Sequence, residues 1–183
     1  MPIKKIRLLT TLAMLIAISV VLSRILAIVY TGDLRMSLGN VPIMLAGVFF
    51  GPVAGGICGF LADLIGCLLR GDAYFLPLAL SPVLVGALPG LLYMLFTEKI
   101  KFSMGNLLLI GGTVVVTNIT TSLLWTTFAL SLLWGKGFFV MLPGRFLETA
   151  IQTILEIIIL AILLNNRDVR HIFGKPIHKQ GDK

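Results

Sequence analysis

The sequence predicts an all-α integral membrane protein, a bundle of six transmembrane helices. Composition is the first reason. Of 183 residues, 57% are hydrophobic and only 13% are charged, where ordinary soluble domains carry roughly 25% charge. Mean hydropathy is +1.02, which leaves too little polar surface to cover a core this apolar and excludes a soluble or a disordered chain. Continuity is the second reason. The apolar stretches do not alternate with polar residues over ~10 positions as the strands of a membrane barrel do. Length is the third. Six spans of ~20 residues fit, and what remains is enough only for short loops and tails. Residues 1–183 therefore read as a single membrane domain. The net charge of +7 does not indicate nucleic-acid binding, because the basic residues flank apolar runs rather than forming one arginine-rich face.

Lys4, Lys5 and Arg7 precede the first apolar run, 8–29. A cleavable secretory signal has a similar basic flank, but its apolar core is typically only about 7–15 residues, so this run is read as helix 1. Thr31 to Asn40 is polar. The second helix, 37–50, takes in Val41-Pro42, where proline suits a first turn whose N–H groups lack partners. Its apolar part is too short to span unless the preceding residues join it or it is partly re-entrant. Gly51-Pro52 breaks the chain before helix 3, 53–69. Helix 4, 77–96, holds Pro82 and Pro89 and is expected to kink. Helix 5 covers 107–133, Gly135-Lys136-Gly137 makes a turn, helix 6 covers 141–164, and 165–183 is a polar, basic tail. Cys58 and Cys67 lie about 13.5 Å apart along one helix and cannot bridge.

The positive charges orient this bundle. With both termini in the cytoplasm, ten of the fifteen Lys and Arg fall on inner segments, as membrane topology favours. The others, Arg24, Arg35, Arg70, Lys136 and Arg145, gather at the outer face. Snorkelling to headgroups accounts readily for Arg70 and Lys136. Arg24 and Arg145 stand within helices, where charge is costly and usually faces a cavity or a partner.

Helix 6 carries Arg145, Glu148, Gln152 and Glu156 on one face. Its upper end is expected to line a polar pocket, with an Arg145–Glu148 pair, and the deeper Glu156 to serve helix packing. On helix 5, Asn118, Ser122 and Trp125 are expected to share a face. Thr and Ser hydroxyls there can also simply bond their own backbone, and Trp125 can stack on a flat ligand. On helix 3, Gly51, Gly55, Gly59 and Gly66 permit close helix approach, and Asp63 shares their face. Ala13 and Ala17 form a small-x-x-x-small pair on helix 1, which suits packing within the bundle or contact with a partner. The chain has no G-x-x-x-x-G-K-[ST] phosphate loop and no H-E-x-x-H. Its two histidines, His171 and His178, lie in the tail. No enzyme, metal site or cofactor is expected.

The stretch from Leu34 through Asn40-Val-Pro-Ile-Met-Leu-Ala-Gly-Val-Phe-Phe-Gly-Pro-Val-Ala-Gly-Gly56, followed by Gly59-Phe-Leu-Ala-Asp-Leu-Ile-Gly66, resembles the substrate-binding S components of energy-coupling factor (ECF) vitamin transporters. The basic N-terminus leading to Ala13-x-x-x-Ala17 is also similar. Leu22-Ser-Arg24, Gly71-Asp-Ala-Tyr-Phe75 and Leu142-Pro-Gly-Arg145 resemble the folate-specific branch. The resemblance runs from Lys4 to about Leu164. It implies a six-helix membrane protein that binds one vitamin near the outer surface. It also implies docking, through Ala13 and Ala17, onto a transmembrane coupling protein that carries two cytosolic ATPases.

Folate would suit the residues. Its glutamyl tail has two carboxylates for Arg24, Arg35 and Arg145 to bind in bidentate fashion. Its pterin has amino and N–H donors for Asp63, Asn118 or Glu148, and its rings suit Tyr74, Phe75 and Trp125. Alternatives are an S component for riboflavin, thiamine or pantothenate, or a stand-alone secondary transporter or channel. Cationic thiamine would want carboxylates, whereas the outer basic surplus favours an anion. A secondary transporter often shows inverted repeats, and none is clear here.

Overall fold

A computed structural model describes residues 3–24, 28–31, 34–71, 75–96, 103–135 and 137–165. In chain order these form α1 (Ile3–Arg24), β1 (Ile28–Thr31), β2 (Leu34–Met36), α2 (Asn40–Phe50), α3 (Pro52–Arg70), α4 (Leu76–Phe96), α5 (Ser103–Asn118), a π-helical segment (Ile119–Thr126), α6 (Thr127–Trp134) and α7 (Phe138–Asn165). The π segment joins α5 to α6 without a break, and Leu109–Trp134 is one apolar stretch long enough to cross a bilayer. The bundle therefore has six membrane helices among the described residues, as the sequence predicts.

Several boundaries differ from the sequence reading: the first, fifth and sixth helices start earlier, at Ile3, Ser103 and Phe138 rather than at 8, 107 and 141, and two further differences change the architecture. Helix 1 ends at Arg24, not at 29. Ile28–Thr31 instead pairs antiparallel with Leu34–Met36, in the register Ile28↔Met36, Val29↔Arg35 and Thr31↔Leu34. An apolar run does not distinguish helix from strand, and β-branched and aromatic residues such as Ile28, Val29, Tyr30 and Thr31 favour the strand. The second helix begins at Asn40 rather than 37. Ser37, Leu38 and Gly39 cross to it in irregular structure, held to α1 where Ser19 Oγ donates to the Gly39 carbonyl at 2.7 Å.

The eleven residues of α2 reach ~16 Å, short of the ~30 Å hydrocarbon core. Every residue from Val41 to Phe49 is buried. A helix apolar on all sides belongs in the interior, and α2 lies between α3 and α4 with α1 and α7 also against it. Gly47, Gly55 and Gly86 make this packing possible. A Cβ on Gly47 or Gly55 would collide with the Gly86 carbonyl, and one on Gly86 would collide with the Gly55 carbonyl. At Gly51, between α2 and α3, φ is +99°, a conformation that glycine adopts without a Cβ penalty.

The exterior is apolar. Leu9, Met14, Val53, Leu68, Phe139, Val140 and Ile162 are exposed, while Thr117, Asn118, Thr121, Thr127 and Glu156 are buried. Large hydrophobes outside and polar groups inside is the arrangement of a bundle solvated by lipid, where polar groups must find partners within the protein.

Candidate ligand-binding site

Two adjoining cavities open among α1, α2, α3, α4, α7 and the π segment. One, of about 150 Å³, is lined by residues that include Asn40, Ser122, Arg145, Glu148 and Gln152. The other, of about 200 Å³, is lined by residues that include Ser19, Ser23, Asn40 and Asp63. Ser37, Asn40 and Pro82 border both, so they are two lobes of one site. Together they reach the lower end of the ~300–1,000 Å³ typical of small-molecule pockets.

The first lobe takes its charge from α7. Arg145 Nη1 donates to Glu148 Oε2 at 2.9 Å, and their side chains are 12% and 8% exposed. Spacing of three residues stacks them on one helical face. Arg145 Nε is buried with no partner among the described residues. The guanidinium is thus anchored by one carboxylate with a donor still to satisfy, as an anion-binding arginine would be. Gln152, one turn further on, also lines the lobe.

Below it lies Glu156, fully buried. Its Oε2 accepts from Asn118 Nδ2 at 2.7 Å and its Oε1 from Gln152 Nε2 at 2.9 Å. Asn40, at the start of α2, borders both lobes. Asn118 Nδ2 also reaches Thr153 Oγ1 at 3.0 Å. A buried carboxylate holding hydrogen bonds is the form in which such a group is tolerated inside a bundle.

The opposite wall is set by the π segment. Thr113, Thr117 and Thr121 each donate their hydroxyl to a backbone carbonyl one turn back, at 2.7–2.8 Å. Such back-bonding competes with the regular helix. Thr126 then bonds Thr121 O, five residues back, and meets Ser81 Oγ at 2.8 Å. Widening to this spacing undoes the face expected for Asn118, Ser122 and Trp125. Ser122 lines the first lobe. Asn118 turns to Glu156. Trp125 Nε1 donates to the Pro77 carbonyl of α4 at 2.8 Å. π segments of this kind occur often at functional sites.

The structure thus brings Asp63, Arg145 and Glu148 to the cavity. Asn118 and Trp125 line neither lobe and are tied to its walls. Phe75 is half-buried just before α4. The backbone places Arg24 at the end of α1, next to cavity-lining Ser23, and Arg35 on β2, two residues before Ser37; their side chains lie outside the described residues. So does all of Tyr74. Ala13 and Ala17 are exposed on α1. Ser37, Asn40, Ser81, Thr126, Thr149 and Gln152 also line the site and were not singled out as binding residues from sequence. The available signal was polarity within apolar segments, which is weak for Ser and Thr.

This architecture has known relatives. The family described as "ECF transporter, substrate-specific component" matches residues 7–164. The chain is similar to the folate transporter FolT of Clostridium novyi (strain NT), 29% identical over 150 residues, 81% of this chain and 83% of that protein. A crystal structure of FolT bound with folic acid superposes with a TM-score of 0.68 at 29% identity, covering 82% of this chain and 88% of that one.

Proposed function

The chain belongs to the substrate-specific components of ECF transporters, and from that premise we propose that it binds folate and delivers it to an ECF module. The observation that carries the folate reading is the likeness to FolT in sequence and in its folic-acid-bound structure. The cavity is chemically suited to that ligand. Arg145, with an unanswered buried donor, takes a carboxylate of the glutamyl tail, and Arg24 and Arg35 stand at chain positions from which they take the other. Asp63, Glu148 and the amide-rich floor near Asn118 receive the amino and N–H donors of the pterin. Tyr74, Phe75 and Trp125 supply aromatic surface for its rings.

The protein lies in the cell membrane with both termini in the cytoplasm, the orientation favoured by Lys4, Lys5 and Arg7 at the start of α1 and by the basic tail after α7. Transport requires a transmembrane coupling protein and two cytosolic ATPases. These supply ATP hydrolysis, and Ala13 and Ala17 form the contact with the coupling protein.

One observation favours a second reading. Asp63 and Glu148 put two carboxylates beside one arginine in the described cavity lining, a balance that suits a cationic vitamin such as thiamine. Mass spectrometry of the small molecules that co-purify with the detergent-solubilised protein separates the two. A stoichiometric pterin supports the folate reading, and stoichiometric thiamine replaces it.

A further inference from the structure

We infer that Ser81 is a specificity-determining residue that accepts a hydrogen bond from an N–H donor of the ligand, and that Thr126 is the positioning residue that restricts it to this role. This rests on the proposed folate reading and assigns one wall of the cavity to the amino and N–H edge of the pterin.

Ser81 on α4 and Thr126, the last residue of the π segment, both line the first lobe. Their hydroxyl oxygens are 2.8 Å apart, and Thr126 Oγ1 is also 2.8 Å from the Thr121 carbonyl. A carbonyl has no proton to give, so Thr126 is the donor in the second contact. A hydroxyl carries a single proton. With that of Thr126 committed to Thr121, the donor in the first contact is Ser81. The direction of the chain is thus fixed, from Ser81 to Thr126 to the Thr121 carbonyl. It depends on the π segment, because the last bond reaches five residues back.

A helical serine often donates to the carbonyl one turn back in its own helix. For Ser81 that is the Pro77 carbonyl, which receives Trp125 Nε1 at 2.8 Å. Two successive residues of the π segment therefore act on Ser81, Trp125 at its usual acceptor and Thr126 on its proton. What Ser81 offers the cavity is lone pairs. A ligand N–H or amino group satisfies them, and a ligand oxygen or unprotonated ring nitrogen is repelled. A hydroxyl that is itself donating is also a stronger acceptor, since the bonds of a chain polarise one another. The glutamyl carboxylates of folate, which only accept, are turned away from this wall and left to the arginines, and the pterin donors are drawn to it. Pairing of this kind discriminates strongly, because a ligand without the matching group leaves a polar atom unpaired.

The test titrates the full-length detergent-solubilised protein with folate. Ser81→Ala is expected to weaken binding about tenfold. Thr126→Val keeps the shape and removes the acceptor for the Ser81 proton, and is expected to weaken binding about threefold. Thr126→Ser restores the hydroxyl and should bind within about twofold of wild type. In a Ser81→Ala background, Thr126→Val should change the affinity by less than about twofold, because its effect passes through Ser81. Unaltered folate binding by either single variant overturns the inference. So does an equal loss from Thr126→Val in both backgrounds, the result of a merely structural role. Should Thr126→Val fail to give a monodisperse protein, the structure of the wild-type folate complex decides. A ligand nitrogen is expected within about 3.2 Å of Ser81 Oγ, and a ligand oxygen there, or no ligand atom, overturns the inference. Wild-type protein that binds no folate overturns the ligand reading itself, and this inference with it. Folate binding by wild type that is indifferent to Ser81→Ala overturns this inference alone.

Discussion

Arg145 and Glu148 form an ion pair at 2.9 Å on one face of α7, both facing a cavity and both largely shielded from solvent. The pair is polarised. Glu148 anchors one end of the guanidinium, and Arg145 Nε is buried without a partner among the described residues. An arginine held in this way is oriented before the ligand arrives, so less of its conformational entropy is lost on binding.

Arg145→Lys keeps the charge and loses the planar fork. It is expected to weaken folate binding by about tenfold. Arg145→Ala leaves Glu148 without this ion-pair partner and should lower both affinity and thermal stability, the latter by about 3 kcal/mol. Titration calorimetry and a thermal melt on the same preparation read the two effects separately.

Gly86 marks one of the tightest helix contacts. A Cβ there would meet the Gly55 carbonyl and the Ile43 side chain. Gly86→Ala is expected to cost about 1–3 kcal/mol through forced separation of α3 and α4. The check is the melting temperature in detergent. Gly112→Ala is the control, since nothing lies within 4 Å of the Cβ it would add, and it should leave the melting temperature unchanged or slightly raised.

Trp125→Phe keeps an aromatic ring and removes the indole donor to the Pro77 carbonyl. It is expected to destabilise the protein by about 1 kcal/mol while lowering folate affinity by less than about threefold. Trp125→Ala removes the ring as well and should lower affinity further. Comparing the two variants by melt and titration separates the wall-tying role from ring contact with ligand.

Ala13 and Ala17 are exposed on α1 and lie outside the cavity lining. Ala13→Leu together with Ala17→Leu is expected to abolish folate uptake into cells that supply the ECF module, with the affinity of the isolated protein retained. Uptake of labelled folate and titration of purified protein check the two halves. Retained uptake would remove these residues from the docking face.

The helix count was legible because a continuous apolar run of membrane length is too hydrophobic for a soluble fold and too unbroken for a barrel strand. The pairing of Arg145 with Glu148, and the presence of Gln152 beside them, were legible from helical spacing alone. The ribbon at Ile28–Met36 was not, since Ile28 and Val29 continue the apolar run that forms α1, and hydrophobicity does not mark the change from helix to strand. The buried position of α2 was hinted at by its short length and became clear only from α3 and α4 packing round it. Asn40 was hidden as a site residue because its role depends on the loop from Ser37 to Gly39 folding against Ser19. The face expected for Asn118, Ser122 and Trp125 assumed 3.6 residues per turn, and the threonine-rich π segment breaks that period.

Calorimetric titration of the purified wild-type protein with folate, and with thiamine in parallel, decides between the two ligands. One folate per chain is expected, with submicromolar affinity in keeping with a high-affinity capture subunit, and no measurable thiamine binding. Well-folded protein that takes thiamine and leaves folate unbound would refute the folate assignment.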